Sequence, residues 1–201
     1  MKSLPNFPIQ ASGSASSVLS ARGITTFHEA VSYLAKLPYG QSKDTFDASL
    51  IVEGHSSFTA RHALLAQIAQ EQQVAGITLA LCAYNLADCY DDWINPILEK
   101  HQLPSLPEID ACLKYEDQVY TLETPDRCPN QEIISAIDIA PVQIGNFKRR
   151  YHQNYIEHWL QIERLDHHWT VAQVWSIREE CLRIITHHMR DGARMGRLAT
   201  A

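Results

Sequence analysis

The sequence predicts an α+β fold, because helical and extended patterns alternate along a chain of 201 residues. Apolar residues recur at helical spacing from residue 58 to residue 73, which predicts a central helix. The apolar run over residues 77–84 predicts a buried strand, and residues 111–122 have the length of a hairpin. Two amphipathic patterns close the chain. We therefore expect a helix packed on a small antiparallel sheet, with additional helices at the C-terminus.

Composition excludes several classes of partner. The formal net charge of -6 does not suit a general nucleic-acid binder, and no apolar run approaches the length that spans a membrane. The N-terminus also lacks the apolar region of a signal peptide, so we expect a cytoplasmic protein. The five cysteines are irregularly spaced, which predicts free thiols rather than a disulfide framework or a zinc site. No cofactor and no metal are expected.

The predicted domain covers residues 23–190, between a flexible arm over residues 1–22 and a frayed basic tail over residues 191–201. The arm is rich in Ser, Gly and Pro and has little apolar surface to bury. At the start of the domain, Thr26 and Glu29 have the spacing of a capping box. They predict a first helix, which we expect to pack on the central one.

The start of the central helix forms the first half of a candidate site. Ser56 and Ser57 stand just before the apolar series, so either can cap the helix N-terminus. Unpaired N–H groups and the helix dipole favour negative charge there, which is how a fold can activate a nucleophile. His55 and Phe58 flank the two serines as candidate binding residues.

The hairpin forms the second half of the candidate site. Glu116-Asp117 has the length of a two-residue turn, although it lacks the usual glycine. The resulting register places Cys112 opposite Thr121 and Asp110 opposite Glu123. Because strand side chains alternate, all four lie on one face.

Two amphipathic helices are predicted at the C-terminal end. The first, over about residues 148–164, places four apolar residues near one face: Tyr151, Tyr155, Trp159 and Ile162. The second begins with a capping box at Thr170 and buries four further residues: Val174, Ile177, Cys181 and Ile184.

Five short motifs, in order, carry a family resemblance: Leu37-Pro38-Tyr39-Gly40, Arg61-His62-Ala63-Leu64-Leu65, Leu106-Pro107-Glu108, Trp159-Leu160 and Ile177-Arg178-Glu179-Glu180-Cys181. Together they cover most of residues 24–185 and resemble a bacterial transglutaminase-like family of the papain-like superfamily. The resemblance implies a papain-like core in which a cysteine at a helix start faces a histidine and an aspartate on a sheet. It also implies acyl transfer or amide hydrolysis.

The positions that correspond to the family's triad are all altered. The nucleophile position falls on Phe58 when counted back from His62, or on Ser56 when counted forward from Gly54. The family's histidine corresponds to Asp110 and its aspartate to Thr121. The resemblance therefore implies a pseudoenzyme that keeps the cleft as a binding surface for a peptide, a protein or an acyl-carrying ligand.

An active enzyme with rebuilt chemistry is the alternative. Ser56, Ser57 or a displaced Cys112 could act as nucleophile, with His55 or His62 as base and Asp110 in support. Each also has a structural interpretation, since serines cap helices, a helical histidine is usually buried and hydrogen-bonded, and a strand cysteine is usually inert core.

Two further features of the candidate site have alternative interpretations. Phe58 is either a stopper of the cleft or one more core residue. Asp110 and Glu123 repel each other, so they would splay into water, meet a basic partner or, in a third and weaker hypothesis, bind a cation together with histidines. The sequence does not predict the oligomeric state.

Overall fold

A computed structural model describes residues 4–40, 54–122 and 132–198, with side chains as far as Met189. These ranges contain six α-helices, a short 3₁₀ helix (Pro141–Ile144) and four strands. In chain order they are α1 (Ser14–Ser20), α2 (Phe27–Ala35), α3 (Phe58–Glu71), β1 (Ile77–Asn85), α4 (Ala87–Lys100), β2 (Pro107–Tyr115), β3 (Gln118–Tyr120), β4 (Ser135–Ile139), α5 (Asn146–Ile162) and α6 (Val171–Leu198). The predicted α+β class is confirmed.

The strands form one small antiparallel sheet in the order β3-β2-β1-β4. The chain divides into two compact units. Unit 1 comprises the described parts of Met1–Cys82, Asp110–Glu123 and Ala136–Asn146, and unit 2 comprises those of Ala83–Ile109, Thr124–Ser135 and Phe147–Ala201. None of the helices in the described ranges combines the length and apolarity needed to cross a bilayer.

Helix α3 is the centre of unit 1, and its start is where the sequence predicts it. Ser57 is the N-cap, and its side chain accepts a hydrogen bond from the backbone N–H of Ala60. Every residue from Thr59 to Ala66 is buried, so the helix is enclosed on nearly all sides rather than on one face. Helices α1 and α2 both pack against it. The predicted capping box at the start of α2 is also confirmed, because Thr26 and Glu29 cap each other.

The segment that we expected to be a flexible arm contains helix α1. Ala15 and Leu19 on this helix are fully buried. The carboxylate of Glu71, at the end of α3, accepts hydrogen bonds from the backbone N–H groups of Ala15 and Ser16 at 3.1 and 2.7 Å. A distant carboxylate therefore caps the helix, and local composition carries no sign of such a partner.

The hairpin register is confirmed where the structure describes it. Leu113 pairs with Tyr120, Lys114 with Val119, and Tyr115 with Gln118. Glu116 takes the left-handed φ of 54° that the two-residue turn needs. Glu123 lies outside the described residues, so the predicted Asp110–Glu123 pair is not described.

The prediction of free thiols is wrong for two of the five cysteines. Cys82 on β1 and Cys112 on β2 form a disulfide, with their Cα atoms 6.6 Å apart. Cys89 and Cys181 are free and buried, and Cys128 lies outside the described residues. Irregular sequence spacing gave no indication that Cys82 and Cys112 lie side by side on neighbouring strands.

The predicted boundary of the C-terminal tail is corrected. The tail that we expected to be frayed from residue 191 continues helix α6 as far as Leu198. Helix α4 takes up most of the acidic stretch over residues 85–92 and is kinked at Tyr90 (φ −140°, ψ 32°).

Helix α5 buries a different face from the predicted one. Its buried residues are His152, Ile156 and Leu160, whereas Ile162 is 63% exposed. The prediction followed the stripe that contains the aromatic residues. It did not use the stripe through His152, because a hydrophobic pattern counts a histidine as polar. The capping box at the start of α6 is confirmed by reciprocal hydrogen bonds between Thr170 and Gln173.

Candidate functional site

The candidate site lies in unit 1 and consists of residues 54–62 together with residues 110–122; we call it the helix-start site. Arg61, on the first turn of α3, holds it together although the side chain is almost fully buried. Its guanidinium donates to the hydroxyl of Ser56 at 3.0 Å and to the carbonyl oxygens of Leu37 and Pro38 at 2.7 and 3.1 Å. A buried cation is therefore satisfied by backbone carbonyls of a distant loop.

The two candidate serine nucleophiles have structural partners. Ser57 caps α3, as described above. The Ser56 hydroxyl accepts from the Nε of Arg61, and the Ser56 side chain is almost fully buried. A serine nucleophile needs a base that can take its proton, but the Ser56 hydroxyl contacts the permanently charged guanidinium of Arg61.

His62 is held as a neutral imidazole by two backbone groups. Its Nε2 accepts from the backbone N–H of Leu122 at 2.9 Å, so the proton resides on Nδ1, which donates to the carbonyl of Phe58 at 2.8 Å. Burial lowers the pKa of His62 to about 4. Both ring nitrogens are hydrogen-bonded to backbone groups, so this histidine links the start of α3 to the end of the hairpin.

Asp110 contacts the helix start through a threonine. The Thr59 hydroxyl donates to the Asp110 carboxylate in a short hydrogen bond, and Thr59 is only 8% exposed. Asp110 is a predicted site residue, whereas no sequence pattern indicated Thr59 as its partner. The start of α3 and strand β2 therefore meet through a hydroxyl–carboxylate hydrogen bond.

Aromatic contacts surround Phe58. Its ring centroid lies 5.2 Å from that of Tyr39, and the Arg61 guanidinium lies 5.0 Å from the Phe58 centroid. The exposed His55 packs its ring against Gly40, where a β-carbon would come within 3.1 Å of the imidazole. Phe58 is half-buried, so it is neither a free binding surface nor a purely internal residue.

Three predicted site residues remain: Cys112, Thr121 and Glu123. The disulfide engages the sulfur of Cys112, which corrects the hypothesis of a displaced nucleophile. Thr121 is exposed beside Leu122, and Glu123 is not described. No group of three or more potential ligands in the described ranges could hold a metal ion.

A second group of buried ionisable side chains lies in unit 2, and the sequence did not predict that its members contact one another. The Arg178 guanidinium donates to both oxygens of the Glu108 carboxylate at 2.7 Å each, and both side chains are buried. The Trp175 ring covers the guanidinium, whose carbon lies 4.8 Å from the ring centroid. His152 donates through Nε2 to the Pro107 carbonyl at 3.0 Å.

His62 and His152 together predict a loss of stability in mild acid. Burial lowers the pKa of each to about 4, while an unfolded histidine has a pKa of about 6.5. The unfolded chain therefore binds protons first, so the stability is complete above about pH 6.5 and falls as pH drops towards 4. We expect a loss of roughly 2 kcal/mol per histidine between pH 7 and pH 5, measured by urea denaturation.

Single variants test whether these two histidines cause the pH dependence of stability. His62→Gln and His152→Gln should each remove about half of this pH dependence, whatever they cost at pH 7. The matched control is His55→Gln, at an exposed position, which should leave it unchanged. Equal pH dependence in all four proteins would contradict the assignment.

No protein-family model, no curated protein and no solved structure matches this chain. The family hypothesis therefore continues to rest on the motifs of the chain itself.

Proposed function

We propose that this protein is a non-catalytic member of a transglutaminase-like family, and that its helix-start site binds a peptide, a protein or an acyl-carrying ligand. One observation carries the proposal: the groups that chemistry would need all have structural partners. The Ser56 hydroxyl faces Arg61, both nitrogens of His62 face backbone, and the sulfur of Cys112 is in a disulfide.

The contacts among the family-like motifs support the scaffold part of this proposal. In unit 1, Arg61 of one motif binds the carbonyls of Leu37 and Pro38 in another. In unit 2, Glu108 of the third motif binds Arg178 of the fifth. Residues selected by resemblance alone thus form buried polar contacts in both units. A retained scaffold without its reactive groups is what a pseudoenzyme requires.

The alternative, an enzyme with rebuilt chemistry, has one contact in its favour. The Thr59 hydroxyl is hydrogen-bonded to the Asp110 carboxylate at the start of a helix, where the dipole would stabilise an alkoxide. A carboxylate is a weak base for a hydroxyl, and Thr59 is nearly inaccessible. We therefore rank this function second.

Activity assays separate the two functions. We expect no turnover of p-nitrophenyl acetate, a peptide amide or an acyl thioester above the level of a matched quadruple variant, Ser56→Ala, Ser57→Gly, Thr59→Val and Cys112→Ala. Turnover that a single one of these changes abolishes would overturn the proposal. Loss at Thr59→Val with recovery in Thr59→Ser would identify the alternative.

Binding is measured separately from turnover. Amide chemical shifts of the labelled full chain would be followed during titration with an unstructured peptide and with an acyl pantetheine. We expect perturbations at residues 54–58 and Thr121, reduced in His55→Ala. The control is His167→Ala, an exposed histidine in unit 2. Perturbations confined to other parts of the chain would contradict the assigned site.

A further inference from the structure

Helix α5 presents a largely exposed side opposite its core contacts. Its core contacts are made by His152, Ile156 and Leu160. On the opposite side Phe147 is 42% exposed and stacks on Tyr151, with ring centroids 6.3 Å apart. Near the other end, Ile162 is 63% exposed. This side therefore carries two separate apolar groups, an aromatic pair at its start and Ile162 at its end.

The charges along α5 as a whole are arranged asymmetrically, and the Arg149 guanidinium at its start already lies over the Trp175 ring. Lys148, Arg149 and Arg150 occupy the first turns of α5, and Glu157 lies in its second half, followed by Glu163 just after the helix. Arg150 and Glu157 are two helical turns apart, so they share one edge of the exposed side. Both side chains are exposed, and neither forms an ion pair with a described residue.

We propose that α5 is a self-association surface on which two copies of this chain pack their α5 helices antiparallel. A two-fold axis near Asn154 places Arg150 of each copy beside Glu157 of the other, which forms two symmetric ion pairs. Phe147 and Tyr151 of each copy then lie against the second half of the partner helix. A parallel pair would instead bring the basic turns together.

Charge complementarity selects a second copy over other occupants. A polyanion could contact the basic turn, but it would meet Glu157 and Glu163 along the same helix and a chain of formal net charge -6. A second copy packed antiparallel places an opposite charge beside both Arg150 and Glu157. Because one helix per copy makes a small interface with two exposed ion pairs, we expect a dimer with a Kd on the order of micromolar.

Charge reversal tests the antiparallel arrangement in the full chain. Sedimentation velocity over a concentration series should show a monomer–dimer equilibrium for the native chain. Arg150→Glu and Glu157→Arg should each weaken the dimer by roughly tenfold or more, because both symmetric pairs become repulsive. The double variant Arg150→Glu/Glu157→Arg should recover to within about threefold of the native Kd, since the two charges exchange places.

Mixing the two single variants provides an independent readout. Arg150→Glu carries two acidic groups at these positions and Glu157→Arg carries two basic ones, so an equimolar mixture should form a heterodimer that neither forms alone. Circular dichroism should show that every variant is folded. A native chain that stays monomeric, a dimer that is insensitive to reversal, or a monomer that binds polyglutamate would each overturn the proposal.

Discussion

Replacing Glu108 with alanine should destabilise the protein by about 3–5 kcal/mol, because it removes the buried carboxylate that pairs with the Arg178 guanidinium. Glu108 is 1% exposed and Arg178 is 7% exposed, so water cannot take over the lost contacts. Both Arg178–Glu108 hydrogen bonds are 2.7 Å long. The measurement is the free energy of unfolding in guanidinium chloride at pH 7.

The neighbouring residue Glu179 supplies the matched control. It also accepts from Arg178, at 2.9 Å, but its side chain is 46% exposed. Glu179→Ala should therefore cost less than about 1 kcal/mol. The double variant Glu108→Leu/Arg178→Met should recover most of the stability, because both charges leave the core together. Equal costs for Glu108→Ala and Glu179→Ala would contradict the importance of burial.

Local patterns predicted the parts of the fold that local interactions determine. The N-cap at Ser57, the capping boxes at Thr26 and Thr170, strand β1 and the hairpin register all depend on residues within a few positions of one another. Helix α1 and the face of α5 depend on distant partners instead. Glu71 caps α1 from the end of another helix, and the Pro107 carbonyl accepts a hydrogen bond from His152.

The candidate site was predictable in position but not in its contacts. The hairpin register predicted which residues share a face with Asp110, and the Thr59–Asp110 hydrogen bond joins that strand to the start of α3. Arg61 carried a usable signal, because a charge within an otherwise apolar helical series must find buried partners. Its acceptors, backbone carbonyls of residues 35–38, have no side-chain signature.

Removing the Cys82–Cys112 disulfide should cost about 3–4 kcal/mol, since the bond closes a loop with a sequence separation of 30. Both cysteines are buried, and the disulfide joins β1 to the strand that carries Asp110. Cys82→Ala/Cys112→Ala should therefore lower the free energy of unfolding and loosen the contact between Thr59 and Asp110. Denaturation and amide hydrogen exchange at Ala60 measure the two effects.

Chemical reduction distinguishes the stabilising effect of the disulfide bond from the effect of changing the packing of the two side chains. A phosphine reductant should destabilise the native chain but leave the double alanine variant unchanged. Cys181→Ala, which removes a buried free thiol, should keep the response to reductant.

Alkylation at the moment of cell lysis tests the predicted cytoplasmic location, because reducing cytosol keeps structural thiols free. Cys82 and Cys112 trapped as alkylated thiols would agree with that location and place disulfide formation after lysis. Protection of both against alkylation would instead indicate an oxidising compartment.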